Sequence, residues 1–349
     1  MQEALELKLN RSPARPLPKA HVFAGAMAVC VLLSALFASL IPLQVSVVTL
    51  FLFAGPHNWF ELRYFLSRLP VRFGRSRNFF IAGFSGLGFL TVTYISLPFL
   101  FRLSFWTGEA WLMVLALWNT FLLAWICLLV QLRGKQKPRT NWAWVTPVAL
   151  GMCAGNWLQP ELFSLALVYI HPLIALWFLD RQLQRTRPSW VPIYRRLLVA
   201  IPVVIGLMSW RLSQTAALPE DNGLFWRITQ HSGAELLPNI SSHLLVSVHL
   251  FLEMLHYAVW IVALPLIGKM VMQNRCQHKR RVWHLQSIPL VRHPRGFPKL
   301  ISVLLILGAA LVVHLWVGFS IDYPITRDVY FTLAIIHVMA EAPFLMKML

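Results

Sequence analysis

The chain has 349 residues, of which 58% are hydrophobic and 13% charged, and its formal net charge is +18. A soluble domain has about 25% charged residues. Here the apolar residues form runs of roughly 18–25 residues, long enough to cross a hydrocarbon core of about 30 Å. The basic residues lie in short segments between these runs and not on one face of a soluble fold, which argues against a nucleic-acid-binding protein.

The apolar runs predict an all-α fold, a polytopic transmembrane helical bundle with about ten spans. Residues 1–349 are expected to form a single integral membrane domain, in which residues 1–19 are a cytoplasmic tail, because no soluble domain follows them as it would follow a signal peptide. The predicted spans are 20–42, 44–66, 79–101, 110–132, 141–158, 160–180, 193–211, 240–268, 299–320 and 328–347.

The distribution of Lys and Arg predicts the orientation of these spans. With the amino terminus inside, 27 of the 31 basic residues fall in inner segments and four in outer segments. Cytoplasmic segments of membrane proteins carry such an excess. Both termini are therefore expected in the cytoplasm, and a bacterial plasma membrane is the expected location. The longest outer loop is 211–239, which contains a short amphipathic stretch, and the longest inner loop is the basic segment 269–299.

Three glutamates in the apolar runs each follow a histidine by four residues, a spacing that places both side chains on one helix face. The three pairs are His57 with Glu61, His249 with Glu253, and His337 with Glu341. They lie on predicted spans two, eight and ten, which run in the same direction. Each lies near the middle or in the inner half of its span, so the pairs are expected to meet in one layer of the membrane.

Two further histidines belong to the predicted cluster. His256 follows Glu253 by three residues and extends that pair over two helical turns, while His171 lies at comparable depth on span six. The Glu253–His256 pair resembles the Glu-x-x-His motif of di-iron carboxylate proteins, whose helical bundles project such residues inward. The second copy of that motif is missing here, so the resemblance covers these two residues alone.

Intramembrane carboxylates are costly, at least about 2.5–3.5 kcal/mol each, unless a proton or a cation neutralises them. Carboxylates with neutral imidazoles are ligands of iron, manganese and zinc. The set is too large for one metal with an open position, so two divalent ions are predicted, with iron favoured over manganese or zinc. The predicted ligands are His57, Glu61, His171, His249, Glu253, His256, His337 and Glu341.

These features favour a dinuclear, di-iron-like oxidoreductase that acts with dioxygen on a lipophilic substrate by hydroxylation, desaturation or oxidative cleavage. The expected partners are the lipid bilayer, the substrate and an electron-donor protein. A divalent-metal transporter and a membrane zinc hydrolase are the main alternatives. The residues also permit an ion or proton relay, a haem with axial histidines, or hydrogen-bonded pairs that only join helices.

Overall fold

The computed structural model describes residues 20–70, 73–101, 108–138, 141–220, 223–267, 288 and 298–348. The described residues are 89% helical and contain no strand, which confirms the all-α prediction. The predicted tail 1–19 lies outside the described residues. So do most of the predicted basic loop 269–299 and its three histidines.

The described part of the chain forms eleven α-helices. In chain order they are α1 (Ala20–Leu40), α2 (Pro42–Arg68), α3 (Arg77–Phe101), α4 (Gly108–Gln136), α5 (Val145–Leu158), α6 (Pro160–Thr186), α7 (Val191–Leu212), α8 (Gly223–His231), α9 (Ser242–Tyr257), α10 (Pro298–Ile321) and α11 (Tyr323–Met348). A π-helix, Ala258–Ala263, continues α9. Proline in the first turn starts both α2 and α6, where its missing N–H costs no hydrogen bond.

Eight helical segments in the described residues are long and apolar enough to cross a membrane. Helices α2 and α5, which match two of the ten predicted spans, are not among them. The 14 residues of α5 reach only about 21 Å, less than a hydrocarbon core of about 30 Å. Helix α2 has 27 residues, but its second half carries Glu61, Arg63 and Arg68. The count of ten spans therefore stays a prediction.

Contacts at the helix ends bring together segments that are distant in sequence. At one end, Lys347 Nζ donates to Ser76 Oγ at 2.5 Å, and Arg133 donates to the carbonyl of Lys347 at 2.9 Å. At the other end, Arg227 of α8 pairs with Asp328 of α11. The excess of Lys and Arg in cytoplasmic segments predicts that Lys347, Ser76 and Arg133 lie on the inner side and that α8 lies in the outer loop. The orientation across a membrane stays a prediction.

Helix α2 is held in the bundle by close packing against α10. A Cβ atom added to Gly55 would lie 3.1–3.3 Å from atoms of Val312, so glycine allows the two backbones to approach. Trp59 Nε1 donates to the carbonyl of Leu305 at 3.0 Å, and Trp316 Nε1 donates to that of Phe51 at 2.9 Å. These contacts fix the helix that carries His57 and Glu61.

Candidate metal centre

Four helices bring histidine and glutamate side chains together in the interior of the bundle. Helix α2 supplies His57 and Glu61, α6 supplies His171, α9 supplies His256, and α11 supplies His337 and Glu341. The π-helix begins two residues after His256. Such π segments are frequent at functional sites. The site is thus built from the middle portions of long helices and not from loops.

The first group of potential ligands contains four residues on three helices, namely His57, Glu61, His256 and His337. One ligand atom from each residue lies within 4.8 Å of those of the other three. The rings of His57 and His256 are 5.2 Å apart, and those of His57 and His337 are 5.1 Å apart. His57 Nδ1 contacts the carbonyl of Phe53 at 3.0 Å. If Nδ1 donates there, the lone pair of Nε2 is free for a metal.

The second group contains His171, His256 and Glu341, whose ligand atoms lie within the same 4.8 Å limit. His171 Nδ1 approaches Glu341 Oε2 to 3.1 Å. The two groups share His256, and the Nε2 atoms of His171 and His337 are 3.3 Å apart. Nitrogen ligands at about 2.0–2.1 Å from one tetrahedral metal are separated by about 3.3 Å. The two groups therefore lie side by side, and His171 and His337 are close enough to bind the same ion.

Several polar atoms in this cluster have no hydrogen-bond partner among the described residues. They include both carboxylate oxygens of Glu61, although this residue is only 1% exposed. A buried polar atom without a partner costs about 1–3 kcal/mol, and more when it is charged. A bound cation would accept these lone pairs and offset the carboxylate charges. The residues present therefore fit a metal centre.

An aromatic layer closes one side of the cluster. It consists of Phe65, Phe178, Trp260 and Phe344, which follow the ligands by one or two turns on the same four helices. All four are at most 6% exposed. Phe65 stacks on Phe344 with ring centroids 4.3 Å apart, and Phe178 lies 5.4 Å from Trp260. Among the described residues, these four rings form a mostly apolar layer beside the cluster.

The opposite side of the cluster is polar. Tyr257 packs on His57 with ring centroids 4.7 Å apart, and its hydroxyl donates to Glu253 at 2.6 Å. Further along, Glu253, His249, His231 and Arg327 line a cavity of about 10 Å³, close to the space of one water molecule. Burial lowers the pKa of His231, which lies on α8, and the neighbouring His249 and Arg327 lower it further.

The structure thus separates the eight predicted ligands into two sets. Six of them form the two adjoining groups. The other two, Glu253 and His249, lie one and two turns from His256 along α9 and belong to neither group, so their metal ligation stays a prediction. Tyr257 was missed by the sequence argument, although it follows Glu253 by four residues and so shares its helix face. Arg327 lies one residue before the predicted span 328–347 and is a buried residue of α11.

No family model, curated protein or solved structure matches the chain. The fold and the site define its described part as a helical protein with eight segments long and apolar enough to span a membrane and a His/Glu cluster that could hold a metal ion.

Proposed function

We propose that the chain is a membrane-embedded oxidoreductase with a dinuclear metal centre, which uses dioxygen to oxidise a lipophilic substrate. The observation that carries the proposal is the pair of His/Glu groups that share His256 inside an apolar helical bundle. The residues proposed to hold two metal ions are His57, Glu61, His171, His256, His337 and Glu341.

The number and type of ligands support two divalent ions. The six residues offer two carboxylates and four imidazoles, which is too many ligands for one metal with an open position. We propose iron, because imidazole and carboxylate ligands with open positions suit non-haem iron that reacts with dioxygen. When bound, such ions would supply electrons and open coordination positions for dioxygen.

The surroundings of the cluster support a lipophilic substrate. The ligands lie on long helices, three of which belong to segments able to span a membrane. Water is excluded on one side by the aromatic layer, which keeps solvent from a reactive centre. A substrate would enter between helices from the lipid, and an electron-donor protein would supply the electrons. The lipid bilayer is the remaining proposed partner.

Elemental analysis and an optical spectrum of the purified full-length protein test this proposal. We expect two iron atoms per chain and no Soret band. Glu61→Gln and His256→Ala should each lower the bound metal, since each removes a ligand. His314→Ala is the matched control, because His314 lies on α10 and its ring contacts the carbonyl of Ala310. Metal content at background level in the wild type, or equal content in all four proteins, would refute the proposal.

One observation favours a second candidate, a divalent-metal transporter. Polar side chains continue from the cluster through Glu253 and His249 to His231, as expected for half of an ion path. On the other side, the packed rings of the aromatic layer would hinder such a path. Uptake of Mn²⁺ or Zn²⁺ into sealed proteoliposomes, abolished by Glu61→Gln, would favour transport. Metal that is bound but not moved would favour the oxidoreductase.

A further inference from the structure

Basic side chains are concentrated at the end of the bundle where α4, α6 and α11 terminate. Arg133 and Lys137 lie four residues apart where α4 ends, and this spacing places both side chains on one helix face. Arg181 and Arg185 have the same spacing near the end of α6. Lys347 lies in the last turn of α11. These five residues form the basic cluster.

The five positive charges lie close together although they come from three helices. Arg133 donates a hydrogen bond to the carbonyl of Lys347 at 2.9 Å, which joins α4 to α11. Partial burial lowers the pKa of Lys137, and three neighbouring guanidinium groups lower it further, those of Arg133, Arg185 and Arg181. Like charges in such proximity repel one another, so the arrangement is costly without a counter-charge.

The described residues supply little negative charge to the basic cluster. Among them, four of the five side chains form no ion pair, namely those of Arg133, Arg181, Arg185 and Lys347. The carboxylate of Asp180 lies near Arg181, but it accepts two hydrogen bonds from Arg195, at 3.0 and 3.1 Å. Because Asp180 and Arg195 neutralise each other, the basic cluster keeps its net positive charge.

Neither the helix ends nor the rest of the chain neutralises the basic cluster. The carboxyl end of a helix carries about half a negative charge, so three ends offset only a minority of five positive charges. Residues 1–19 contain four basic and two acidic residues, and residues 269–299 contain eight Lys or Arg and no acidic residue. Both segments thus have a net positive charge of their own. The missing negative charge is therefore expected from a bound anion.

The exposure of the basic cluster and its place in the bundle suit a lipid headgroup. Lys137 and Arg185 are exposed, while Arg133, one turn deeper on α4, is only 7% exposed. Helices α4, α6 and α11 belong to segments long and apolar enough to cross a membrane, so their ends would reach the level of the headgroups. Basic pockets between membrane helices bind phosphate-bearing headgroups.

We infer that the basic cluster binds the headgroup of an anionic phospholipid from the leaflet on the side of Lys347. Its phosphate groups contact the exposed side chains of Lys137 and Arg185, and Arg133 contributes its charge from one turn deeper. Several cations in one place favour a headgroup with two phosphates, such as that of cardiolipin. The site uses none of the potential metal ligands, so its occupancy does not depend on metal.

Native mass spectrometry of the full-length protein in detergent, with equal amounts of cardiolipin and phosphatidylcholine added, tests this inference. We expect cardiolipin to be retained in preference to phosphatidylcholine. Lys137→Gln and Arg185→Gln should each weaken its retention about fivefold, the factor for one basic residue at an anionic lipid surface. Arg196→Gln is the matched control, because Arg196 is also exposed but lies on α7, outside the basic cluster.

Three outcomes would overturn the inference. Equal retention of the two lipids by the wild type would mean that the basic cluster does not select an anion. Equal weakening by Arg196→Gln and by the two cluster variants would indicate attraction by the overall positive charge and no defined site. Displacement of cardiolipin by millimolar inorganic phosphate would show a site for a small free anion and not for a lipid. Both cluster variants change exposed side chains, so they are expected to fold.

Discussion

His256 is the residue on which both candidate groups depend, since it contributes a ring nitrogen to each. The sequence predicted that His256 is a metal ligand from its spacing to Glu253, because residues three or four apart share a helix face. The same spacing could not separate His256 from His249 and Glu253. A helix face runs through several layers of the bundle, and only the packing of the other helices decides which layer holds the cluster.

A comparison of two carboxylate variants tests this separation of layers. We expect Glu61→Gln to lose bound metal and Glu253→Gln to retain most of it, because only Glu61 belongs to a group of potential ligands. Both changes keep the shape of the side chain and remove its charge. Metal content per folded chain is the measurement. An equal loss in both variants would support the larger ligand set predicted from the sequence.

The hydrogen bond from Tyr257 to Glu253 is expected to contribute to stability. Tyr257→Phe removes the donor and leaves a carboxylate oxygen without it, which should lower the free energy of unfolding by about 1–3 kcal/mol. Thermal unfolding in detergent should be measured for Tyr257→Phe, Glu253→Gln and the double variant. Because the two groups interact directly, the double variant should show less than the summed effect. Strict additivity would mean that the bond is not formed.

At the scale of helices, the short helix α5 is fixed by a polar network and not by its length. Asn119 of α4 and Asn156 of α5 are both fully buried. Asn119 Nδ2 donates to Asn156 Oδ1 at 2.8 Å, and Asn156 Nδ2 donates to the carbonyl of Ala116, also at 2.8 Å. The sequence located this helix from its apolar residues, but the asparagines alone did not show which helix they contact.

Asn156→Ala should destabilise the protein by about 1–3 kcal/mol, since it removes the two buried hydrogen bonds that Asn156 makes with Asn119 and with the carbonyl of Ala116. Met152→Ala on the same helix is the control, because Met152 is 39% exposed. Loss of folded protein on heating, followed by size-exclusion chromatography, measures the difference. Similar melting temperatures for the two variants would show that the network does not stabilise the packing of α5.

Hydropathy predicts where the helices lie along the chain more directly than it predicts how many of them cross the membrane. Helix α2 was predicted as a span, yet it carries His57, Glu61 and two arginines, which lower its mean hydropathy. The same residues that form the candidate site thus make this helix the hardest to assign from composition. A polar helix can lie in the interior of the bundle because other helices surround it and satisfy its polar groups.

For the whole molecule, reporter fusions test the predicted topology. The charge distribution predicts that Arg187 and Lys347 lie on the cytoplasmic side and that Glu220 lies on the opposite side. Alkaline phosphatase should be active only when fused after Glu220, and green fluorescent protein should fluoresce when fused after Arg187 or Lys347. Glu220 and Arg187 on the same side would mean an error in the number of crossings between them.

The aromatic layer of Phe65, Phe178, Trp260 and Phe344 should make the metal centre less accessible from one side than from the other. Vesicle experiments can detect this difference in access. Hydrophilic reagents have a polar approach from the side of α8 and meet stacked rings from the other. A membrane-impermeant chelator should therefore strip metal faster from vesicles that expose α8 than from vesicles of opposite orientation. Phe65→Ala, which opens a gap in the layer, should reduce this difference. Equal rates in both orientations of the wild type would show that the rings do not limit access.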